Sequence, residues 1–431
     1  MMSNALKTAL WLAAASGLCQ AAAAAVIDVP AGSDLQQAVA RARAGDTLRL
    51  AAGLYRGKLV IDKPLNIEGP PARTAKIEGD RSGRTIEVTA PDVGLSRLTI
   101  TRSGLSLPAM DAGVFLSQSA ERARVLHNDI LENSVGVYIH GAAGALVKSN
   151  RIVGDTKLRV NERGNGVTVW NAPGAEVSDN DISEGRDGIF SNTSTKNIYK
   201  NNRFTRLRYA VHYMYTNDSE VSGNVSDGNN IGYAIMFSER LKIRNNIAAN
   251  SRDQGLMLNY ANHSDISGNV VDKAEKCVFI YNANYNTISG NHFENCGMGI
   301  HFTAAAEGNR IFNNAFIRNQ SQVKYVGTRH IEWSDGEENG RGNYWSDNSA
   351  FDLDGDGIAD TAYRPNGIID QIVWRAPVAR LLMNSPAVSI VKWAQSQFPA
   401  ILPGGVADSK PLMRPPKNPT LQQYRQHKEP Q

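Results

Sequence analysis

Short stretches of alternating apolar and variable residues recur between Asn128 and Asn314, separated by Gly, Asn, Asp and Ser. Alternation over three to five positions, bounded by turn residues, is typical of short β-strands. One phrase, with an asparagine usually two residues before an apolar residue, returns nine times. Its asparagines are Asn128, Asn150, Asn180, Asn202, Asn224, Asn246, Asn269, Asn291 and Asn314.

All but one of the steps between these asparagines are 22 or 23 residues. Such a period is too short for a pair of helices and fits one coil of a β-solenoid. Stacked coils place each strand about 4.8 Å from its counterpart, and the apolar alternates fill a common interior. An asparagine at a fixed register can turn inward at a corner and form an amide ladder. The pattern predicts an all-β fold, a right-handed parallel β-helix.

Other elements are predicted at the ends of this shaft. Ser33 can cap a short helix through Ala42, which we expect to cover the open end of the first coil. A second helix is predicted over Ser385–Gln397. The Pro-rich tail from Ser409 carries five Lys or Arg against one Glu, so we expect disorder unless a partner orders it.

The one long step, from Asn150 to Asn180, places about eight extra residues in the segment Gly154–Gly164. This insertion predicts a loop that projects from the shaft. A docking loop and a flexible charged decoration are equally compatible with its composition.

The chain divides into a signal peptide (1–25), a β-helix (26–370) and a C-terminal helix with a basic tail (371–431). The signal predicts export, which permits a disulfide between Cys277 and Cys296, but the spacing leaves that pairing open. No later apolar run is long enough to span a membrane. The net charge of +4 and the lack of a basic cluster with aromatics disfavour nucleic acid as a partner.

A second repeated phrase begins eight to ten residues after most of these asparagines, with a small residue before alternating apolar positions, as in Gly136-Val-Tyr-Ile, Ala210-Val-His-Tyr and Ala234-Ile-Met-Phe. Its outward side chains form two columns. The first consists of Phe115, Tyr138, Thr168, Phe190, His212, Met236, Met257, Phe279 and His301, and the second of Ser117, His140, Trp170, Asn192, Met214, Ser238, Asn259, Tyr281 and Thr303. None of these residues is charged, which is typical of a contact surface.

Thioether and imidazole groups suit Cu(I), so the columns predict a transient Cu(I) site at His212, Met214, Met236 and Met257. A methionine-containing docking face without metal is the alternative. We expect partner contacts at Tyr138, His140, Trp170, Phe190, Phe279 and His301.

The segment from Asp352 to Asp360 has carboxylates at positions 1, 3, 5 and 9 and a glycine at position 6, which resembles the front of a calcium loop. Asp352, Asp354, Asp356 and Asp360 are therefore candidate ligands of a structural Ca²⁺. An Asx-rich turn without metal is the alternative, since position 12 is Tyr363 rather than Glu.

Many β-helices act on acidic glycans, so a polysaccharide lyase, an epimerase or a sugar-binding protein is the rival interpretation. Those enzymes need paired carboxylates, or a base with cationic side chains, in a groove. The predicted columns contain neither, so we expect a protein that is not an enzyme.

The run Gly342-Asn-Tyr-Trp-Ser-Asp347, followed by Asp352-Leu-Asp-Gly-Asp-Gly-Ile-Ala-Asp-Thr-Ala-Tyr363, resembles the NosD family of periplasmic β-helix proteins. A proline usual before the last tyrosine of that motif is Ala362 here. The resemblance implies a non-enzymatic periplasmic protein that works with the membrane subunit of an ABC transporter and with a copper chaperone lipoprotein. Its implied role is to supply the copper–sulfur centre of apo nitrous oxide reductase. It names no copper ligands, so the Cu(I) residues above rest on the columns.

Overall fold

Three parallel sheets form the sides of a coiled shaft in the computed structural model, which confirms the predicted parallel β-helix. The structure describes residues 24–428 except 304, 328, 336–339, 366, 368, 370, 371, 373–375, 383, 384 and 398–404. Residues 1–23, which hold most of the predicted signal peptide, lie outside the described residues. Each coil passes through the three sheets in turn, and each strand pairs with its counterpart one coil away.

Sheet 1 consists of Val26–Val29, Thr47–Leu50, Asn66–Glu68, Gly94–Ser96, Arg124–Leu126, Leu146–Lys148, Glu176–Ser178, Ile198–Lys200, Glu220–Ser222, Lys242–Arg244, Asp265–Ser267, Thr287–Ser289 and Arg310–Phe312. Sheet 2 consists of Gly53–Arg56, Ala75–Glu78, Leu98–Thr101, Asp129–Asn133, Arg151–Gly154, Asp181–Ser183, Arg203–Thr205, Val225–Asp227, Ile247–Ala249, Val270–Asp272, His292–Glu294, Ala315–Ile317 and Tyr344–Trp345. Sheet 3 consists of Leu59–Ile61, Ile86–Val88, Ala112–Leu116, Val135–His140, Val167–Trp170, Asp187–Thr195, Tyr209–Asn217, Ile231–Glu239, Gln254–Asn262, Lys276–Tyr281, Met298–Thr303 and Ser321–Val326.

The asparagine ladder forms as predicted, at the corner between sheets 1 and 2. The backbone N–H of Asn202 donates to Oδ1 of Asn224 at 2.9 Å, and Nδ2 of Asn202 donates to the carbonyl of Val177 at 2.8 Å. The same pattern continues beyond the nine predicted asparagines to Asn343, whose N–H donates to Asp408 at 2.6 Å. The ladder satisfies buried backbone groups at this corner of successive coils and so fixes their register.

The interior changes composition in the middle of the shaft. Most inward positions carry Val, Ile or Leu, but Tyr233 is fully buried on sheet 3, and its hydroxyl donates to the carbonyls of Asn224 and Ile247. The neighbouring inward positions of sheet 2 are the small Ser226 and Ala248. The small residues make room for the large one, which keeps the packing density of the core.

A column of glycines marks the start of the sheet 3 strands, because a Cβ there would collide with sheet 2. At Gly255 it would lie 2.3 Å from a methyl carbon of Val271. Cys277 occupies the next position of this column, points into the same corner, and forms a disulfide with Cys296, with the Cα atoms 5.7 Å apart. The pairing that the sequence left open therefore exists, because the chain turns at the corner instead of extending along one strand.

The first coil is covered by a short helix, α1 (Leu35–Arg41), which buries Leu35 and Val39. Its N-cap is Asp34, whose carboxylate accepts from the N–H of Gln37, and not Ser33 as the sequence suggested. At the other end are a 3-10 helix (Pro377–Leu382) and α2 (Pro386–Gln397), which confirms the predicted second helix.

The basic tail is ordered by its own shaft, so the expectation of disorder is wrong. Val406–Ala407 pairs with the strand Ile331–Glu332, and residues 409–418 lead to helix α3 (Pro419–Lys428). Helix α3 lies against the outer face of sheet 2, where Leu421 and Tyr424 pack on Ile247, Ala249 and Val270. We call residues 409–428 the strap. The strap is too polar to fold alone, but it folds against the apolar patch on the outer face of sheet 2.

The inserted loop at Gly154–Gly164 is also held against the shaft. The guanidinium of Arg163 donates to the carbonyl and to the carboxylate of Glu184, both at 3.1 Å, and Asp155 is buried beside Arg81. The loop is therefore anchored at both ends, which argues against a freely flexible decoration.

Candidate functional site

The outer face of sheet 3 carries the predicted histidine and methionines, but in a different register from the one predicted. His212 pairs with Ala234, and Ala234 pairs with Met257, so Met236 does not belong to the first column. Met236 pairs directly with Met214 in the second column. The four predicted Cu(I) ligands therefore surround a single alanine instead of forming one line.

The error arose from a two-residue shift in one coil. The repeated phrase suggested that Ala234 pairs with Ala210. In the structure Gly232 lies beside Ala210, and the buried Tyr233 follows Gly232 in the chain. A shift of two residues leaves the inward and outward alternation unchanged, so the hydrophobic pattern cannot detect it.

Ala234 is the small outward residue between His212 and Met257. His212 lies on the preceding coil and Met257 on the following coil of the same column, while Met236 and Met214 occupy the neighbouring column. Ala234 is fully buried, and the three methionines are partly exposed. We call His212, Met214, Met236 and Met257 the methionine–histidine cluster. Flexible thioethers around a small residue can move to accommodate an ion.

His212 belongs to a buried polar network that the sequence did not reveal. Its Nδ1 lies 3.0 Å from Oδ2 of Asp187, and Arg208 donates to both oxygens of the same carboxylate at 2.8 and 2.6 Å. Burial raises the pKa of Asp187, but the hydrogen bonds from His212 and Arg208 outweigh it and hold the pKa below its usual value. Asp187 is therefore an ionised carboxylate with no exposed surface.

The other ring nitrogen of His212, Nε2, is buried and has no hydrogen-bond partner among the described residues. The His212 side chain is only 10% exposed. Its ring lies between Phe190, with ring centroids 5.0 Å apart, and the edge of Tyr209, at 5.1 Å. A buried nitrogen without a partner costs free energy, so its presence points to a ligand.

Two further unpartnered oxygens lie beside the cluster. Oε1 of Gln254 and Oδ1 of Asn259 are buried without partners among the described residues, and both residues lie on the strand of Met257. The prediction of an uncharged face needs correction at its margins. Lys324 extends the first column beyond His301, and Asp187 occupies an outward edge column that the sequence analysis did not consider.

The predicted partner-binding residues lie on both sides of the cluster. Towards the N-terminus, His140 stacks on Trp170 with centroids 4.5 Å apart and lies near Tyr138 at 6.0 Å. Phe190 contacts His212 directly, and Phe279 meets His301 edge to face at 5.2 Å. The cluster is thus bordered by rings along the shaft.

His301 resembles His212 in one respect, since its Nδ1 is buried without a partner among the described residues. Burial lowers the pKa of His301 to about 4, with a further contribution from the charges of Lys324 and Lys276. The imidazole is therefore neutral near neutral pH. The nearby ammonium groups make it a poorer cation ligand than His212.

Sequence reasoning missed an exposed row of aromatic rings beside the cluster. Tyr215, Phe237 and Tyr260 stack along the shaft at 5.3 and 5.0 Å, each with a positive φ. The coils on either side place Thr193 and Asn282 at this corner. Bulky side chains are unusual at positive φ, so the fold does not require rings there. The signal in the sequence was the aromatic residue directly after Met214 and Met236.

The Asp-rich loop brings three of its four candidate ligands together. Carboxylate oxygens of Asp352, Asp354 and Asp356 lie within 4.8 Å of one another. Asp360 is not in this group, and its carboxylate accepts from the N–H of Leu353 at 2.9 Å. The loop contacts the start of the strap, where the N–H of Ala359 donates to the carbonyl of Pro411 at 2.8 Å.

Residues 148–350 match the family model described as "Periplasmic copper-binding protein (NosD)". A "Probable ABC transporter binding protein NosD" from Stutzerimonas stutzeri is 38% identical over 416 residues, covering 93% of this chain and 92% of that protein. Its namesake from Pseudomonas aeruginosa is 38% identical over 381 residues, covering 85% and 88% of the two chains. The chain belongs to the NosD family.

The described NosD relatives are named as binding proteins and not as enzymes. Solved enzymes nevertheless share the architecture. The DFA-IIIase of Arthrobacter chlorophenolicus without its lid has a TM-score of 0.54 at 13% identity and covers 71% of this chain and 99% of that one. The A-module of a mannuronan C-5 epimerase from Azotobacter vinelandii has a TM-score of 0.53 at 13% identity, covering 69% and 93%. At such identities the likeness concerns the fold alone.

The described part of this NosD chain holds no helix with the length and apolarity needed to cross a bilayer. It does expose apolar side chains near the C-terminal end of the shaft. Val378, Leu381, Leu382 and Ile390, on the 3-10 helix and α2, are all more than 60% exposed. Four strongly exposed apolar residues on two helices close together in the chain are candidates for contact with a partner.

Proposed function

We propose that this protein is a periplasmic copper-binding maturation factor that works with an ABC transporter to assemble the copper–sulfur centre of nitrous oxide reductase. Its cargo is Cu(I), held transiently by His212, Met214, Met236 and Met257. The observations that carry this proposal are the buried, unpartnered Nε2 of His212 and the register that places three methionines around the neighbouring Ala234.

The ligand chemistry of the cluster matches delivery of a soft monovalent ion. Thioethers and a neutral imidazole favour Cu(I) over hard cations. The cluster contains no thiolate, and the two cysteines at Cys277 and Cys296 are joined to each other. Uncharged ligands bind the ion less tightly than thiolates do, so the ion can be released to a partner. The opposite charges of Asp187 and Arg208 compensate each other beside the site.

The partners follow from the family and from the surfaces of the shaft. The relatives' names support an ABC transporter as one partner, and the exposed apolar residues near α2 fit its membrane subunit. The rings around the cluster, Tyr138, His140, Trp170, Phe190, Phe279 and His301, fit contacts with a copper chaperone lipoprotein and with apo nitrous oxide reductase. Aromatic residues are enriched at such interfaces.

We further propose that the Asp-rich loop binds a structural Ca²⁺. Three carboxylates within 4.8 Å repel one another, and a hard divalent cation relieves this repulsion. Gly355 and Gly357 adopt positive φ and give the sharp turns that such a loop needs.

Copper titration of the purified apo protein tests the proposed function. Cu(I) is added against a competing chelator to the wild type and to Met214→Ala/Met236→Ala/Met257→Ala, with circular dichroism as the check of fold. Met413→Ala is the matched control, because Met413 is also partly exposed but lies on the strap. We expect the triple variant to lose uptake and the control to keep it. Equal uptake by all three proteins would make this surface a docking face without metal, and turnover of a uronate polymer would favour the glycan-active alternative.

A further inference from the structure

Among the described residues, the carboxylate of Asp187 reaches the cluster through His212. It lies on the coil before His212, since Asp187 pairs with Tyr209 and Phe190 pairs with His212. Its side chain has no exposed surface, and Arg208 holds both of its oxygens. A carboxylate bound in this way cannot rotate away from the imidazole. The position of Nδ1 is therefore fixed by the fold.

We propose that Asp187 is a positioning residue that keeps the proton of His212 on Nδ1 and directs the lone pair of Nε2 at Cu(I). This inference rests on the proposed copper role of the cluster. Both oxygens of Asp187 accept hydrogen bonds from Arg208, so the carboxylate faces Nδ1 as an acceptor and Nδ1 must be the donor. In a neutral imidazole the other nitrogen, Nε2, is then the acceptor and the free ligand atom.

The surrounding rings restrict the remaining freedom of His212. Phe190 lies tilted against one side of the imidazole, and Tyr209 meets it at a right angle. The guanidinium of Arg208 in turn lies over the Tyr209 ring, 4.3 Å from its centroid. The same arginine thus holds the carboxylate and the ring on either side of the histidine. Hydrogen bonds from a metal-binding histidine to a carboxylate also raise the basicity of the ligand nitrogen.

A purely structural role for this network would have a different signature. Buried ion pairs are common in proteins, and their loss lowers stability without changing ligand selectivity. The tautomer of His212 separates the two roles, because a structural ion pair requires no free nitrogen at Nε2. The orphan Nε2 favours the positioning role.

The first test needs no copper. Nitrogen NMR of apo protein with ¹⁵N-labelled histidine reports which ring nitrogen carries the proton, and His212→Gln identifies the signal. We expect a protonated Nδ1 and a bare Nε2 in the wild type. A proton on Nε2 overturns the proposal whether or not copper binds, and this result does not depend on the folding of any variant.

The second test uses Asp187→Asn. Arg208 will hold the amide oxygen, which turns the amide NH₂ towards Nδ1 and forces the proton onto Nε2. We expect the NMR tautomer to switch and the Cu(I) affinity to fall about 10- to 100-fold, the usual range for loss of such a partner. Asp272→Asn, a buried carboxylate on sheet 2, is the matched control and should leave both readouts unchanged.

The outcomes separate this inference from the proposed function. A switched tautomer with unchanged copper affinity overturns the positioning role of Asp187 and leaves copper binding intact. Absence of copper uptake by the wild type overturns the proposed function and the copper role of Asp187 together. Asp187→Glu restores a carboxylate, so partial recovery of affinity relative to Asp187→Asn would support positioning by charge and hydrogen bonding.

Discussion

Tyr424 and Asp272 are 152 residues apart in the chain, yet the Tyr424 hydroxyl donates a hydrogen bond of 2.8 Å to the Asp272 carboxylate. This bond attaches helix α3 to the middle of the shaft. The outward column of sheet 2 changes from charged to apolar where α3 lies, in the order Asp129, Arg151, Asp181, Arg203, Val225, Ile247 and Val270. The shaft therefore carries a built receptor for its own C-terminus.

The strap should be removable without unfolding the shaft. In Leu421→Asp/Tyr424→Ala a charge faces the apolar patch and the hydrogen bond is lost, which we expect to weaken docking by about 2 kcal/mol. Hydrogen exchange followed by mass spectrometry should show faster exchange in residues 409–428 and unchanged protection of the coils. Gln423→Ala, exposed on the same helix, is the control. Faster exchange throughout the shaft would contradict this view, because it would make the strap part of the core.

Calcium should stabilise the contact between the Asp-rich loop and the start of the strap. A site that binds only the folded state adds about 2.7 kcal/mol when free Ca²⁺ is about 100-fold above its Kd. We therefore expect a chelator to lower the melting temperature of the wild type and not that of Asp354→Asn/Asp356→Asn. Asp181→Asn, an exposed carboxylate on sheet 2, should respond like the wild type. An equal chelator response in every protein would refute the calcium site.

The last rung of the asparagine ladder is a carboxyl group. Burial raises the pKa of Asp408 to about 6, although Asn343 and the Trp345 indole N–H donate to it. The unfolded value is about 3.9, so the folded state binds the proton more tightly. The contribution of Asp408 to stability is complete below about pH 4 and is lost as pH rises through about 6.

The variant Asp408→Asn, which places at this rung the residue found at the other rungs, tests this pH dependence. Between pH 4.5 and pH 7 we expect the wild type to lose about 2 kcal/mol relative to Asp408→Asn, measured by denaturant unfolding or local hydrogen exchange. Taking the difference between the two proteins cancels the titration of other carboxylates. Parallel pH profiles would contradict the prediction.

The features that could be predicted from the sequence are those that the residue pattern within each coil determines. The β-helix and its ladder follow from alternation and from the spacing of Asn128 to Asn314, which are properties of each coil. The position of Met236 was wrong because Tyr233 fills an inward position usually held by an aliphatic residue. The strap joins residues that the repeat does not relate, since Tyr424 meets Asp272 across 152 residues. The disulfide and the Asp187 network join residues about one coil apart, but they depend on side-chain directions at corner and edge positions, which the alternation does not specify.

Transporter attachment is predicted at the exposed apolar surface of the 3-10 helix and α2, and not at the docked strap. Leu381→Asp/Ile390→Asp should abolish co-purification with the transporter, because the charges would have to be desolvated at the interface. Ile198→Asp, exposed on sheet 1, is the control and should still co-purify. If the double variant also co-purifies, the attachment lies elsewhere, with the anchored loop Gly154–Gly164 as the next segment to test.

The small side chain of Ala234 offers a test that removes no ligand. In Ala234→Leu the added carbons would occupy the space between His212 and Met257, while every thioether and imidazole of the cluster remains. We expect Cu(I) affinity to fall at least about tenfold, since an ion excluded from the centre of the cluster cannot reach several ligands at once. Circular dichroism and the melting temperature check that the coil tolerates the larger side chain.

Ala234→Gly is the matched control, because it changes the same residue and adds no carbons between His212 and Met257. We expect it to bind Cu(I) like the wild type. If only the variant Met214→Ala/Met236→Ala/Met257→Ala loses Cu(I) uptake, the thioethers are needed, but they are not shown to bind one ion together. Loss in Ala234→Leu as well, with retention in Ala234→Gly, would locate the ion above residue 234. Unchanged Cu(I) affinity in Ala234→Leu would show that copper does not bind above residue 234. The surface would then be interpreted as a docking face for partners.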